Sequence, residues 1–184
     1  MNSEHTLVEL KAKIEDKDKE TIKKKILELK AKQVGKFHQI DTYFYVPKGR
    51  LKLREVEGKP YAQLIYYERE NVSSPKKSKV FILNITKPKE FKEMLKNILS
   101  VKSVVDKIRE IYFYMGTQIH LDEVKNLGSF IEFEKQTVDE PIEIEKAKIF
   151  LKELMRKLEI APKNLIKVSY GELVPNVKNF KNSP

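Results

Sequence analysis

The chain has 184 residues, long enough for one domain with a sizeable core, and no cysteine, which excludes disulfide frameworks, thiolate metal sites and a Cys nucleophile. Hydrophobic residues make up 40% and charged residues 35%, a composition that excludes a disordered chain. Lys and Arg number 37 against 27 Asp and Glu, and the formal charge of +10 favours an anionic partner: nucleic acid, an acidic membrane or a small polyphosphate.

The N-terminal stretch MNSEHTLVELKAKIEDKDKE lacks an apolar run long enough for a signal peptide or a membrane span, so a cytoplasmic protein is expected. Within it LVELKAKI alternates, with Val8, Leu10, Ala12 and Ile14 on one face and Glu9, Lys11 and Lys13 on the other, as in an amphipathic strand. Ile22, Ile26 and Leu29 then recur at helical spacing, and Gly35 is placed to end that helix. Strands follow at 41–46, 50–55 and 61–68, punctuated by Pro47, Gly49, Gly58 and Pro60. NVSSPKKSK reads as a solvated loop carrying Lys76, Lys77 and Lys79, ahead of a strand at 80–85 and a helix opened by a proline in PKEFKEMLKNILSV.

Three more strands are expected at 103–114, 117–124 and 130–136. A helix over 142–158 places Ala147, Leu151, Leu154 and Leu158 on one face, and a final strand is expected within 164–174. The whole reads as one domain over 1–174 with a frayed tail at 175–184.

The polar faces of these strands carry the functional signal. Arg50, Lys52 and Arg54 share one face, Lys107 and Arg109 another, Gln118, His120 and Asp122 a third, and Phe130, Glu132 and Glu134 a fourth. A solvated sheet face intersperses the two signs of charge, whereas here they segregate into basic and acidic strands. If the sheet closes with these faces inward, the charges enter a low-dielectric cavity, tolerable only when a ligand or metal pairs them. A polyphosphate held by Arg50, Lys52, Arg54, Lys107 and Arg109 answers one requirement. Mg²⁺ or Mn²⁺ held by Glu9, Glu132, Glu134 and Asp122 answers the other. His120 is a candidate proton relay with a structural role as its commoner alternative, and His38 and Asp41 are expected to orient the neighbouring strand.

The ordered segments VELKAKI, QIDTYFYVPKGRLKLRE, LIYYER, VDKIRE, IHLDEVKNLGSFIEFE and KVSYGEL resemble the CYTH superfamily, the triphosphate tunnel metalloenzymes that include class IV adenylate cyclases and thiamine triphosphatases. The resemblance implies an α+β fold: a closed eight-stranded antiparallel barrel with peripheral helices, binding a triphosphate such as ATP, thiamine triphosphate or tripolyphosphate. By that resemblance Glu9, Lys11, Lys52, Arg54, Lys107, Arg109, Glu132 and Glu134 match tunnel positions, and Lys167 matches a C-terminal phosphate-binding lysine. Lys11, Glu132 and Glu134 are the candidate catalytic residues.

Three departures qualify the match. Leu7 stands where the first carboxylate of the signature is expected, Gln118 stands where an arginine is common, and Tyr67 stands where a lysine is common, with Arg69 on the same face to compensate. Three functions remain open on the sequence: a metal-dependent enzyme that hydrolyses or cyclises a triphosphate, a weakened tunnel that only binds polyphosphate or nucleotide, and, less favoured, a nucleic-acid-binding barrel. The enzyme is expected as a monomer or homodimer, with no membrane partner.

Overall fold

In a computed structural model of the protein, residues 3–177 are described. Eight strands are formed: β1 (Ser3–Ile14), β2 (Lys32–Phe44), β3 (Arg50–Val56), β4 (Ala62–Arg69), β5 (Lys76–Ile85), β6 (Val101–Tyr114), β7 (Thr117–Val124) and β8 (Gly128–Thr137). They close into a barrel in the order β1-β5-β4-β3-β2-β6-β7-β8, each pair antiparallel. Four helices surround it: α1 (Lys19–Glu28), α2 (Pro88–Ile98), α3 (Pro141–Lys157) and the short α4 (Tyr170–Leu173). This is the α+β barrel that the resemblance implies. None of the described helices is long and apolar enough to cross a membrane.

The largest apolar cluster lies outside the barrel wall, and a smaller one of Leu7, Ile65, Val80 and Ile82 lines the interior. Val8, Leu10, Ala12 and Ile14 of β1 face outward and pack with Leu121, Ile131 and Phe133 against Ile22 and Ile26 of α1 and Ala147, Leu151 and Leu154 of α3. Each fully buried leucine of this layer contributes about 1.5–3 kcal/mol. Because the alternate residues of the same strands point inward, Glu9 and Lys11 of β1 face the barrel interior, which is why both faces of β1 are buried.

Four sequence expectations change. α1 stops at Glu28 because Lys30 takes a left-handed conformation at φ 62°, and Gly35 instead lies inside β2 at a register shift. β2 accordingly starts nine residues before the expected Asp41, at Lys32. β5 starts at Lys76, so the SSPKKSK lysines belong to a strand and Lys76 pairs in register with Glu9. No ninth strand forms over 164–174: β1 and β8 already pair with each other, leaving no free edge to extend.

That last segment folds across the barrel instead. A 3-10 turn at Pro162–Asn164 leads to Leu165, which bridges Ala12, and the Ile166 N–H donates to the Lys11 carbonyl at 2.9 Å. A capping box of Ser169 and Glu172 then starts α4, and the Ser103 hydroxyl donates to the Gly171 carbonyl at 2.7 Å. Gly171 has no room for a side chain, since a Cβ there meets the Tyr43 ring at 2.6 Å. Of the expected frayed tail, residues 178–184 lie outside the described residues, and the Val177 N–H donates to the Lys102 carbonyl.

Candidate active site

Strand alternation points Glu9 and Lys11 of β1, Lys52 and Arg54 of β3, Arg69 of β4, Lys107 and Arg109 of β6, and Glu132 and Glu134 of β8 into one cavity of about 100 Å³. These are nine of the residues singled out in the sequence. Tyr43, Tyr67, Ser78 and Tyr170 line the cavity with them, as do Leu7, Ile65, Val80 and Ile82. Its wall is therefore two-sided: β3, β6 and β8 present charge, whereas the adjacent β1, β5 and β4 add the aliphatic Leu7, Ile65, Val80 and Ile82 beside Glu9, Lys11 and Arg69.

Much of the lumen charge pairs internally, so a ligand or metal is not the sole source of countercharge. Asp41, fully buried, accepts from Lys52 Nζ at 3.0 Å, Arg54 Nε at 2.7 Å and Nη2 at 2.9 Å, and Lys107 Nζ at 3.3 Å. Burial pushes its carboxyl up, but Arg54, Lys107 and Lys52 together hold it well below the usual carboxylate range. Burial pushes the lysines the other way: Lys52 falls to about 8, with Arg54 adding repulsion, and Lys107 to about 7, with Arg109 adding repulsion. One carboxylate thus faces several cations, leaving this end of the lumen with surplus positive charge.

Glu132 organises the other side. Lys11 Nζ lies 3.1 Å from its Oε1, and Arg109 Nη2 donates to its Oε2 at 2.6 Å. Burial raises its carboxyl, while Lys11 and Arg109 hold it well below its ordinary value. Arg109 also grips Asp122 in a two-pronged contact at 2.7 and 2.6 Å, and the Tyr170 hydroxyl donates to Asp122 at 2.8 Å. Asp122 holds Arg109 and Tyr170 and is not among the side chains whose donor atoms converge closely enough for one ion. His120 Nδ1 instead stands 3.7 Å from Glu132 and 3.8 Å from Glu134, and these three side chains are the group among the described residues whose donor atoms converge closely enough for one ion.

Arg69 supplies the remaining lumen cation. Its Nη1 donates to Glu9, yet its Nε and Nη2 are buried with no partner, and the same holds for the hydroxyl of Ser78, its register neighbour on β5. The Glu9 carboxyl is raised by burial, an effect that Arg69 only partly reverses. Tyr67, next to Arg69, is pushed up to about 12 by burial. Two expected phosphate ligands lie elsewhere. Arg50 sits at the barrel mouth, donating to Glu172 at 2.9 Å and Asn71 at 2.5 Å, because the turn before β3 carries it past the end of the lumen. Lys167 is exposed and offers only its carbonyl, which accepts from Lys76 at 3.2 Å.

Lys76 is the reverse case. Read as a solvated loop residue, it is 2% exposed and donates to the carbonyls of Val72, Ile166 and Lys167, tying the C-terminal segment to β5. Burial lowers its ammonium to about 8. Its signal was the alternation Lys76, Ser78, Val80, Ile82, which extends the β5 pattern backwards. His38 faces away from the lumen, between Asp106 at 2.7 Å and Glu57 at 3.1 Å.

The profile of the CYTH domain family matches residues 5–170, nearly the whole chain and every strand that builds this lumen. The chain belongs to the CYTH domain family. A CYTH relative from Methanocaldococcus jannaschii, named "Putative adenylate cyclase MJ0240", is 31% identical over 173 residues, spanning 90% of this chain and 97% of that protein. Among solved structures, the PH1012 protein of Pyrococcus horikoshii superposes with a TM-score of 0.81 at 25% identity, over 91% of this chain and 99% of its own. The PH1819 protein of the same organism gives a TM-score of 0.72 at 27% identity, over 91% of this chain and 97% of its own. The CYTH lumen described here is thus built on a fold that these archaeal proteins share from end to end.

Proposed function

We propose that this protein is a divalent-metal-dependent enzyme acting on a triphosphate, by hydrolysis or by class IV adenylate cyclase-like cyclisation of ATP. The observation that carries the reading is the set of buried donors left without partners in the lumen: Arg69 Nε and Nη2 beside Ser78 Oγ. An unpaired buried donor costs about 1–3 kcal/mol, and phosphate oxygens satisfy a guanidinium edge and a hydroxyl together. The surplus of cations around Asp41 supplies a second seat for anionic oxygen.

The residues present also fit an ion. His120 Nδ1 is a buried nitrogen with no partner, and it faces Glu132 and Glu134. A bound divalent ion offsets charge developing on the transferring phosphoryl group. Lys11, held over the Tyr170 ring at 3.9 Å and against Glu132, is placed to steady a phosphate oxygen near that ion. Tyr170 closes one side and, fixed by Asp122, helps exclude water. The aliphatic strip of Leu7, Ile65, Val80 and Ile82 favours a triphosphate bearing an organic group over a bare inorganic chain, since it offers nothing to a phosphate.

The test is incubation of the purified protein with ATP, thiamine triphosphate and tripolyphosphate, each with Mg²⁺ or Mn²⁺ and with an EDTA control, reading phosphate and cyclic AMP. EDTA-sensitive phosphate release identifies a triphosphatase, and cyclic AMP with pyrophosphate identifies a cyclase. If neither product exceeds the control, the enzymatic reading fails.

Binding carries its own pH signature. In the free protein Lys107 and Lys52 lose their protons near pH 7 and 8, whereas a bound polyanion favours the charged form of both. The complex therefore holds more protons than the free protein above pH 7, so binding takes up protons and affinity falls as pH rises. The expected slope approaches about tenfold per pH unit for each lysine above its free value. Calorimetry of tripolyphosphate binding in buffers of different ionisation enthalpy measures this uptake; affinity that holds steady to alkaline pH contradicts it.

A further inference from the structure

We infer that His120 is a nitrogen ligand of the lumen ion, for which Mn²⁺ is the convenient probe. The inference rests on the proposal that the lumen uses a divalent ion, and goes beyond it by naming the ligand. Two donors that share an ion at about 2.1 Å lie no more than about 4.2 Å apart. Nδ1 stands 3.7 Å from Glu132 Oε2 and 3.8 Å from Glu134 Oε1, inside that limit and too far for hydrogen bonds. At 2% exposure His120 is buried, and its Nδ1 makes no hydrogen bond.

The far side of the ring supports the assignment. Nε2 lies 3.0 Å from Gln118 Oε1, an acceptor, so the tautomer that donates there leaves the Nδ1 lone pair pointing at the two glutamates. A metal-bound histidine characteristically donates its other N–H to a fixed acceptor, which sets both tautomer and ring orientation. Gln118 provides this where a cationic side chain would not.

The experiment loads the full-length protein with Mn²⁺ and records electron spin-echo modulation, in which a directly bound nitrogen is visible. The expected result is ¹⁴N modulation in the wild-type protein, its loss in His120→Ala and in His120→Gln, and Mn²⁺ binding weakened about tenfold or more in both variants. Absence of modulation in the wild-type spectrum rules the ligand out whether or not either variant folds, while its loss in the variants separates His120 from His5 and His38. Mn²⁺ bound without ¹⁴N modulation overturns the assignment and leaves the triphosphate reading standing. Failure of the wild type to bind Mn²⁺ at all overturns both.

Discussion

Glu132→Gln is expected to lower triphosphate turnover on the order of a thousandfold, the scale of several kcal/mol that a metal centre contributes to the transition state. Glu132 is where the two halves of the proposed site meet: Lys11 at 3.1 Å, Arg109 at 2.6 Å and His120 at 3.7 Å all face it. Gln keeps the volume and one acceptor oxygen, so the cations retain a hydrogen bond while the negative charge is lost. Activity should therefore fall far more than stability. Steady-state kinetics beside a thermal melt measures both, and a variant that keeps most of its kcat removes Glu132 from the chemistry. Loss of fold alone would appear as a melt shifted well below the wild type, with activity recovered at low temperature.

Most of the barrel was legible because β-alternation is a local signal. LVELKAKI and RLKLRE each state which residues face in and which face out, and closure adds only the direction of the inner face. Glu9, Lys52, Lys107 and Glu132 were found in this way. Arg50 has the same alternation as Lys52 and Arg54, yet lies beyond the end of the lumen, since alternation gives a residue's face and not its height along the barrel. The pairing of Asp41 with Lys52, Arg54 and Lys107 spans separations of 11, 13 and 66 residues, which no periodicity encodes.

The C-terminal segment failed differently. Its apolar residues suggested a strand, but strand formation needs an open edge, and the barrel has none. Ser169 and Glu172, spaced as a capping box, were the local evidence for a helix start. Tyr170 follows that cap into the lumen, where its hydroxyl reaches Asp122. The charged lumen residues of β1, β3, β6 and β8 were thus visible in the sequence, whereas Tyr170, carried by the closing segment, was not.

Asp41→Ala should have the largest effect on folding, a loss of about 3–5 kcal/mol or roughly 10 °C in Tm, because it leaves Lys52, Arg54 and Lys107 buried without their shared carboxylate. The loss should depend on pH. Lys52 and Lys107 are protonated in the unfolded chain up to about pH 10 but shed their protons in the folded variant, so the unfolded state binds more protons and stability rises with pH. Melts at about pH 6 and about pH 9 should bracket a partial recovery, incomplete because Arg54 keeps its charge throughout. Tripolyphosphate should restore the Tm further at the acid end, by placing phosphate oxygens where the carboxylate stood. Rescue by the polyanion and not by chloride at equal ionic strength would identify the Asp41 cluster as an anion seat that a carboxylate occupies in the free protein. A variant as stable as the wild type would mean that these cations reach water, and that a triphosphate enters an open channel instead of exchanging partners with Asp41.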